Sequence, residues 1–167
     1  MHLPVSPISK GFTFREMAVE DAPQILEINT DEETRKYTCL LRQQTLSDIE
    51  SWLSHYKHYQ KYGYGLWALE DLHTKSLIGL CGLRVRKDLN NQTDISYRIH
   101  PAFRGKGVAT AAIDATVRYG FEELKLRHIL AQIHRGNKAS LHLLEKRGFK
   151  AQSVSGNWID LMLLNPG

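Results

Sequence analysis

The chain has 167 residues, enough for one domain with a substantial core and too few for two independent ones. Apolar residues make up 42% and charged residues 24%, an ordinary globular balance, and no apolar run approaches the length of a membrane span. Net charge is +4, yet no lysine–arginine tract or basic stripe with interleaved aromatics marks a nucleic-acid or membrane surface.

Residues 1–11 hold two prolines and no apolar stretch, so they read as a loose arm rather than an export signal, with a single domain over 12–167. A cytoplasmic location is expected. Cys39 and Cys81 have no metal-ligand or redox spacing and read as reduced thiols. "FTFRE" alternates as a short strand, and "VEDAPQILEIN" reads as a helix with Asp21 in its first turn. "TDEETRKYTCLLRQQ" is polar and irregular and reads as a loop or a short helical turn. "TLSDIESWLSHYKHYQKYG" predicts one helix, capped by Thr45 and stopped by Gly63. "YGLWALED" and "SLIGLCGLRV" flank the polar connection "LHTK" as a hairpin. In "TDISYRIH", Asp94, Ser96, Arg98 and His100 face one way while Ile95, Tyr97 and Ile99 face the other. A helix to about Leu124, the strand "HILAQIH", the helix "NKASLHLLEKRGF" with Asn137 as N-cap, and two strands around Ser155–Gly156–Asn157 complete the order. Runs of strands beside strand–helix–strand units predict an α/β (α+β) fold, a mixed sheet of about six to seven strands with helices on its faces.

The most informative stretch is "YRIHPAFRGKGVATAAI", where a strand hands over to a helix through two glycines and several cations. The first turn of a helix has N–H groups without intrahelical partners, and the helix dipole adds positive potential there. Glycines let a ligand approach the backbone, so the turn suits a phosphate or pyrophosphate. The P-loop spacing is absent. A dinucleotide fingerprint fits Gly105 and Gly107 but meets Thr110 at its last place and no acid after the next strand. The pattern R-x-x-G-x-A is met by Arg104, Gly107 and Ala109.

With that pattern, "DISYRIHPAFRGKGVATAAI" resembles the acetyl-CoA pyrophosphate loop of the GNAT superfamily of N-acetyltransferases, and "NKASLHLLEKRGF" resembles a signature of its RimJ/RimL-like branch. The resemblance runs from about residue 12 to 164. It implies the GNAT fold, with a splayed pair of central parallel strands, here "TDISYRIH" and "HILAQIH". It also implies acetyl-CoA as cosubstrate, no metal, and transfer of acetyl to a primary amine by direct attack. The acceptor would be a protein or peptide N-terminus or a small-molecule amine, with neither nucleic acid nor membrane as partner, and the protein a monomer or homodimer. Arg104, Gly105, Lys106, Gly107, Val108, Ala109 and Thr110 would surround the pyrophosphate, Ile99, His100 and Pro101 would flank the pantetheine arm, and Asn137 would touch it besides capping its helix.

Many family members protonate the departing thiolate with a tyrosine where this chain has Leu144; the branch instead offers the serine here numbered Ser140. Asp94 matches the family's acidic position and is the first choice of base, Asp160 the second, with a water relay as a third route. Neither cysteine is a nucleophile, and the eight histidines form no zinc constellation. Lys138, Arg147 and the acidic run Asp31, Glu32 and Glu33 read as solvated charges. Two rival readings remain: a non-catalytic acetyl-CoA-binding module, favoured by Leu144 and the short Asp94, and an unrelated nucleotide-phosphate binder.

Overall fold

The computed structural model describes residues 3–6, 10–38 and 44–167. The strands are β1 (Phe12–Arg15), β2 (Leu66–Asp71), β3 (Leu77–Arg86), β4 (Gln92–Ile99), β5 (His128–His134), β6 (Lys150–Ser155) and β7 (Trp158–Leu164). The helices are α1 (Ala22–Thr30), α2 (Glu32–Lys36), α3 (Leu46–Ser54), α4 (His58–Tyr62), α5 (Val108–Glu122) and α6 (Lys138–Lys146). One mixed sheet runs in the order β1-β2-β3-β4-β5-β7-β6, with β4 and β5 as its parallel neighbours. Helices α1 and α3 cover one face through Ile25, Ile28, Ile49 and Leu53. On the other face, α5 and α6 pack Ala112, Ile113 and Leu144 against Trp67, Leu83 and Ile129. The expected mixed sheet with helices on both faces is the observed fold.

Two local expectations need adjustment, and one left open is resolved. The predicted long helix after Thr45 is broken at His55–Lys57 into α3 and α4. Tertiary bonds hold the break: the Tyr56 hydroxyl accepts from the Leu66 amide, and the His58 Nε2 accepts from the Val85 amide. The irregular segment after Thr30 contains α2, whose start is capped by Asp31 accepting from the Thr34 amide. The loose arm is partly anchored, with Pro4 buried and the Ser6 hydroxyl donating to the Phe12 carbonyl. Cys81 is a free, buried thiol, while Cys39 lies outside the described residues.

What matters for function is the middle of the sheet. Strand β4 pairs with β3 along its whole length, from Gln92 opposite Arg86 to Ile99 opposite Gly79. With β5 its register holds only at Asp94 opposite Leu130. Beyond that point the two parallel strands part, leaving main-chain groups of β4 without a ladder partner on that side. β5 is held on its other edge by β7, from His128 opposite Leu164 to His134 opposite Trp158.

Candidate active site

The gap between β4 and β5 opens at its wide end onto the glycine–cation turn. After β4, the His100 imidazole caps a turn at Pro101–Phe103 by accepting from the Ala102 amide through Nδ1. Gly105 has φ +74 and Gly107 φ +79, the left-handed region that glycine enters without the side-chain penalty. The first intrahelical bond of α5 runs from the Ala111 amide to the Gly107 carbonyl, so the amides of Val108, Ala109 and Thr110 are left over. A cavity of about 200 Å³ lies over this turn, lined among others by Ile99, Phe103, Val108 and Thr110. Around Gly105 a side-chain carbon would meet nothing within 4 Å. These features fit an anionic, elongated ligand whose phosphates meet bare amides and whose arm enters the strand gap.

The cations around the turn are arranged differently from the sequence expectation. Arg104 contributes its main chain, but its guanidinium turns away to α2, donating to Asp31 at 2.8 Å and to Thr34 and Glu33 at 3.0 Å. The acidic run is therefore partly a receptor for Arg104 and not simply solvated. Burial pushes the Asp31 carboxyl up, but the hydrogen bonds from Arg104 and the Thr34 amide outweigh it and hold the group below its ordinary value. Lys106 lies over the Phe103 ring, 5.3 Å from its centre. The amine of Lys10, from the N-terminal arm, comes within 3.9 Å of where a Gly107 side chain would start. Sequence reasoning missed Lys10, because nothing local ties residue 10 to residue 107.

The two faces of the gap carry different chemistry. On the face covered by α5 and α6 lie Tyr97 of β4 and Ser140 of α6 itself. Asn137 caps α6 as expected, its side chain accepting from the Ser140 amide at 3.3 Å. The Tyr97 hydroxyl is buried and makes no well-formed hydrogen bond, although Ser140 interacts with it more loosely. Burial pushes the Tyr97 phenol up to about 12, so it stays protonated and keeps its O–H as a donor. Tyr97 was legible only as a core-facing residue; its orphaned hydroxyl is a property of the packed structure.

Towards α1 point Asp94, Ser96 and Arg98 of β4, and across the gap Gln132 and His134 of β5 with Asp160 of β7 opposite Gln132. Asp94 is not a free carboxylate. It is buried, Arg84 donates to both its oxygens at 2.8 and 3.2 Å, and Arg86 adds a third bond at 2.9 Å. Three of its acceptor positions are thus occupied by two arginines on β3 that sequence spacing did not connect to it. Asp160 accepts from the Gln132 amide group at 3.0 Å and from the Ser153 hydroxyl at 3.0 Å, neutral donors only, and it keeps some exposure.

Tyr37, just after α2, packs against His134 with ring centres 5.4 Å apart, and His134 meets Trp158 edge-on at the same separation. Helix α2 thus spans the mouth of the gap, fastened to the β4 side through Arg104 and to the β5 side through Tyr37. Of the other helix-surface charges, Arg147 is paired with Asp114 at 2.8 Å. Among the described residues no cluster of three or more His, Cys, Asp or Glu could hold a metal ion, and no helix is long and apolar enough to cross a membrane.

The family model described as acetyltransferase (GNAT) domain matches residues 12–150. The uncharacterized N-acetyltransferase YoaA of Bacillus subtilis is 29% identical over 141 residues, covering 84% of this chain and 80% of the relative. The spermidine N(1)-acetyltransferase of Escherichia coli strain K12 is 29% identical over 87 residues, covering 52% of this chain and 45% of the relative. Among solved structures, the spermidine N-acetyltransferase from Vibrio cholerae in complex with CoA and spermine superposes with a TM-score of 0.77 at 22% identity, covering 93% of this chain and 96% of that one. At that identity the likeness concerns the fold.

Proposed function

We propose, on the premise that the chain belongs to the GNAT acetyltransferase family, that it moves an acetyl group from acetyl-CoA to a primary amine by direct attack, without an acyl-enzyme. The observation that carries this reading is the parting of β4 from β5 beyond Asp94 and Leu130, in line with a turn of bare amides at Gly105–Thr110. Acetyl-CoA supplies an activated acyl group and a thiolate leaving group. The amides of Gly105, Lys106, Gly107, Val108, Ala109 and Thr110 hold the pyrophosphate, with Lys106 and Lys10 as neighbouring cations. The free edge of β4 that ends at Ile99 orients the arm as an added strand, and a β4 amide polarises the acyl carbonyl. His100 and Pro101, whose main-chain groups bond Ile78, Phe103 and Arg104, flank the arm by shape alone. Asn137 fixes the start of α6 beside the arm.

On the α5–α6 face, Ser140 and Tyr97 donate hydrogen bonds to the forming thiolate, which answers the absence of a tyrosine at Leu144. On the opposite face, Asp160 accepts the amine proton directly or through one water, with Gln132 and Ser153 holding its orientation. Asp94 keeps Arg84 and Arg86 in place and is a positioning residue. Asn137 and Ser140 at their spacing, with Leu144 in the tyrosine's usual place, also support assignment to the RimJ/RimL-like branch.

One observation favours a second reading, a non-catalytic acetyl-CoA-binding module: the acid at the family's base position is fully engaged by arginines. The test is thiol release from acetyl-CoA over a panel of peptides, polyamines and amine-bearing antibiotics, with product mass as confirmation. Tight CoA binding with no amine acetylated decides for the binding module; competition by ATP and not by CoA removes both readings.

A further inference from the structure

The acceptor face has one pronounced feature away from the gap. Between α3–α4 and the end of β3 runs an open groove of about 500 Å³. Its aromatic walls are Trp52, Tyr56 and Tyr62, and its charges are Lys57, Lys61, Arg86 and Lys87. Asp88 is the only carboxylate lining it, and Arg86 already binds Asp88 at 2.6 Å. The His58 ring is fixed between the Tyr64 carbonyl and the Val85 amide. The groove is therefore cationic with aromatic sides.

The groove is linked to the transfer point by one side chain, Arg86. Arg86 lines it and also donates to Asp94, and Asp94 faces Leu130 where β4 and β5 part. The charge excess continues inward. Arg84, Arg86 and Arg98 point to the same face as Asp94, and this one carboxylate serves two of the three. Among the described residues the third, Arg98, has only the Asn29 side-chain oxygen as partner. Burial, and secondarily the nearby Arg84, lower the Arg98 guanidinium to about 10. Arg98 is half-buried, and a partly desolvated guanidinium without an acid partner is favourably completed by an anion.

Resting on the acetyltransferase reading, we propose that the acceptor is the N-terminus of an acidic peptide segment. Its α-amine reaches the gap at Ser96 and Gln132, its first carboxylate meets Arg84 and Arg98, and its following acids lie along Lys57, Lys61 and Lys87. A polyamine, carrying only positive charge, would meet like charges along the same path. An α-amine also suits a site whose base is held by neutral donors, since its pKa near 8 requires less assistance than a lysine amine.

The test uses the full chain saturated with CoA and three labelled probes: an acid-rich hexapeptide with a free N-terminus, its lysine-rich counterpart and spermidine. Fluorescence anisotropy is expected to show the acidic peptide bound at least about tenfold more tightly than either, with an affinity that falls as salt rises. The double variant Lys61→Glu, Lys87→Glu is expected to lose about tenfold in peptide affinity while CoA affinity stays unchanged. Equal or reversed preference, or an unchanged affinity in the double variant, overturns the proposal. So does acetylation of spermidine with no acetylation of the bound acidic peptide. Free aspartate acetylated as efficiently as the peptide overturns the peptide assignment in favour of a small carboxylate-bearing amine. Failure to acetylate any amine despite CoA binding refutes the acetyltransferase reading, and with it an acceptor of any kind. The anisotropy result then reports on the groove as a binding surface alone.

Discussion

The two sides of the strand gap are built by different means. The side proposed for the cofactor is main chain: left-handed glycines at 105 and 107, the leftover amides of α5 and a bare edge of β4. The acceptor side is side chains, drawn from β3, β4, β5, β7, α1 and α2 and held by ion pairs such as Arg84 and Arg86 with Asp94. A backbone site tolerates substitutions that keep the turn, whereas a side-chain site can be rebuilt one residue at a time. On the proposed function, the first would fix a common cosubstrate and the second would be free to choose an acceptor.

The largest effect should separate the two acids on the acceptor side. Asp160→Asn is expected to lower kcat by about 10²-fold, with thermal stability nearly unchanged, because a general base contributes at least that much. Asp94→Asn is expected to do the reverse in kind. It leaves two arginines facing a neutral amide and costs about 1–3 kcal/mol of stability, towards the lower end because Arg84 is half exposed. Denaturation midpoints and steady-state kinetics on the same preparations distinguish these outcomes. If Asp94→Asn is stable and inactive while Asp160→Asn is active, the base returns to Asp94.

On the cofactor side, Gly107→Val forces a branched residue to φ +79 at the start of α5. The conformational cost is about 1–2 kcal/mol, so CoA affinity measured by calorimetry should fall by about tenfold or more. Acceptor affinity should not move, since no acceptor-facing side chain is touched. Undiminished CoA binding would mean that the phosphates lie elsewhere.

Across the gap, Tyr97→Phe removes an orphaned hydroxyl without emptying its volume. Structurally the change should be neutral or slightly favourable, since an unsatisfied buried group disappears. Catalytically it should lower kcat by roughly three- to tenfold, the worth of one neutral hydrogen bond, with KM for acetyl-CoA unchanged. Ser140→Ala is expected to act similarly, and the double variant to lose less than the product, because the two hydroxyls serve one thiolate. A Tyr97→Phe enzyme with wild-type kcat assigns Tyr97 to packing alone.

These contrasts also explain what was legible in the sequence. Gly105, Gly107, Asn137 and the alternation of β4 act on their immediate neighbours, so spacing and residue type suffice to find them. The ion pairs of Asp94 depend on the register of β3 against β4, which places Arg84 opposite it, and no local pattern carries that register. The break between α3 and α4 failed to show for the same reason. The bonds that hold it, from Tyr56 to Leu66 and from His58 to Val85, cross from helix to sheet. Lys10 over the glycine turn and Tyr37 against His134 are contacts of the same long-range kind.

Arg104 sits between the two sides and gives the smallest but sharpest test. Its position in the R-x-x-G-x-A pattern assigns it to the cofactor, and its guanidinium is bound to Asp31, Thr34 and Glu33 on the acceptor side. If that bond is kept when CoA binds, Arg104→Gln should change CoA affinity by only about two- to threefold, the worth of a partly exposed ion pair seen indirectly. The acceptor KM should rise by a similar factor, because α2 loses one of its two fastenings. Asp31→Asn should reproduce the acceptor effect, and combining the two changes should add little, since each breaks the same pair. The pair's contribution follows the depressed Asp31 carboxyl: it is present above the ordinary carboxylate range and lost only as pH falls below it. The coupling should therefore be constant through neutral pH. A loss of CoA affinity of about tenfold or more in Arg104→Gln, with Asp31→Asn leaving it intact or improved, would instead mean that Arg104 leaves α2 for the phosphates.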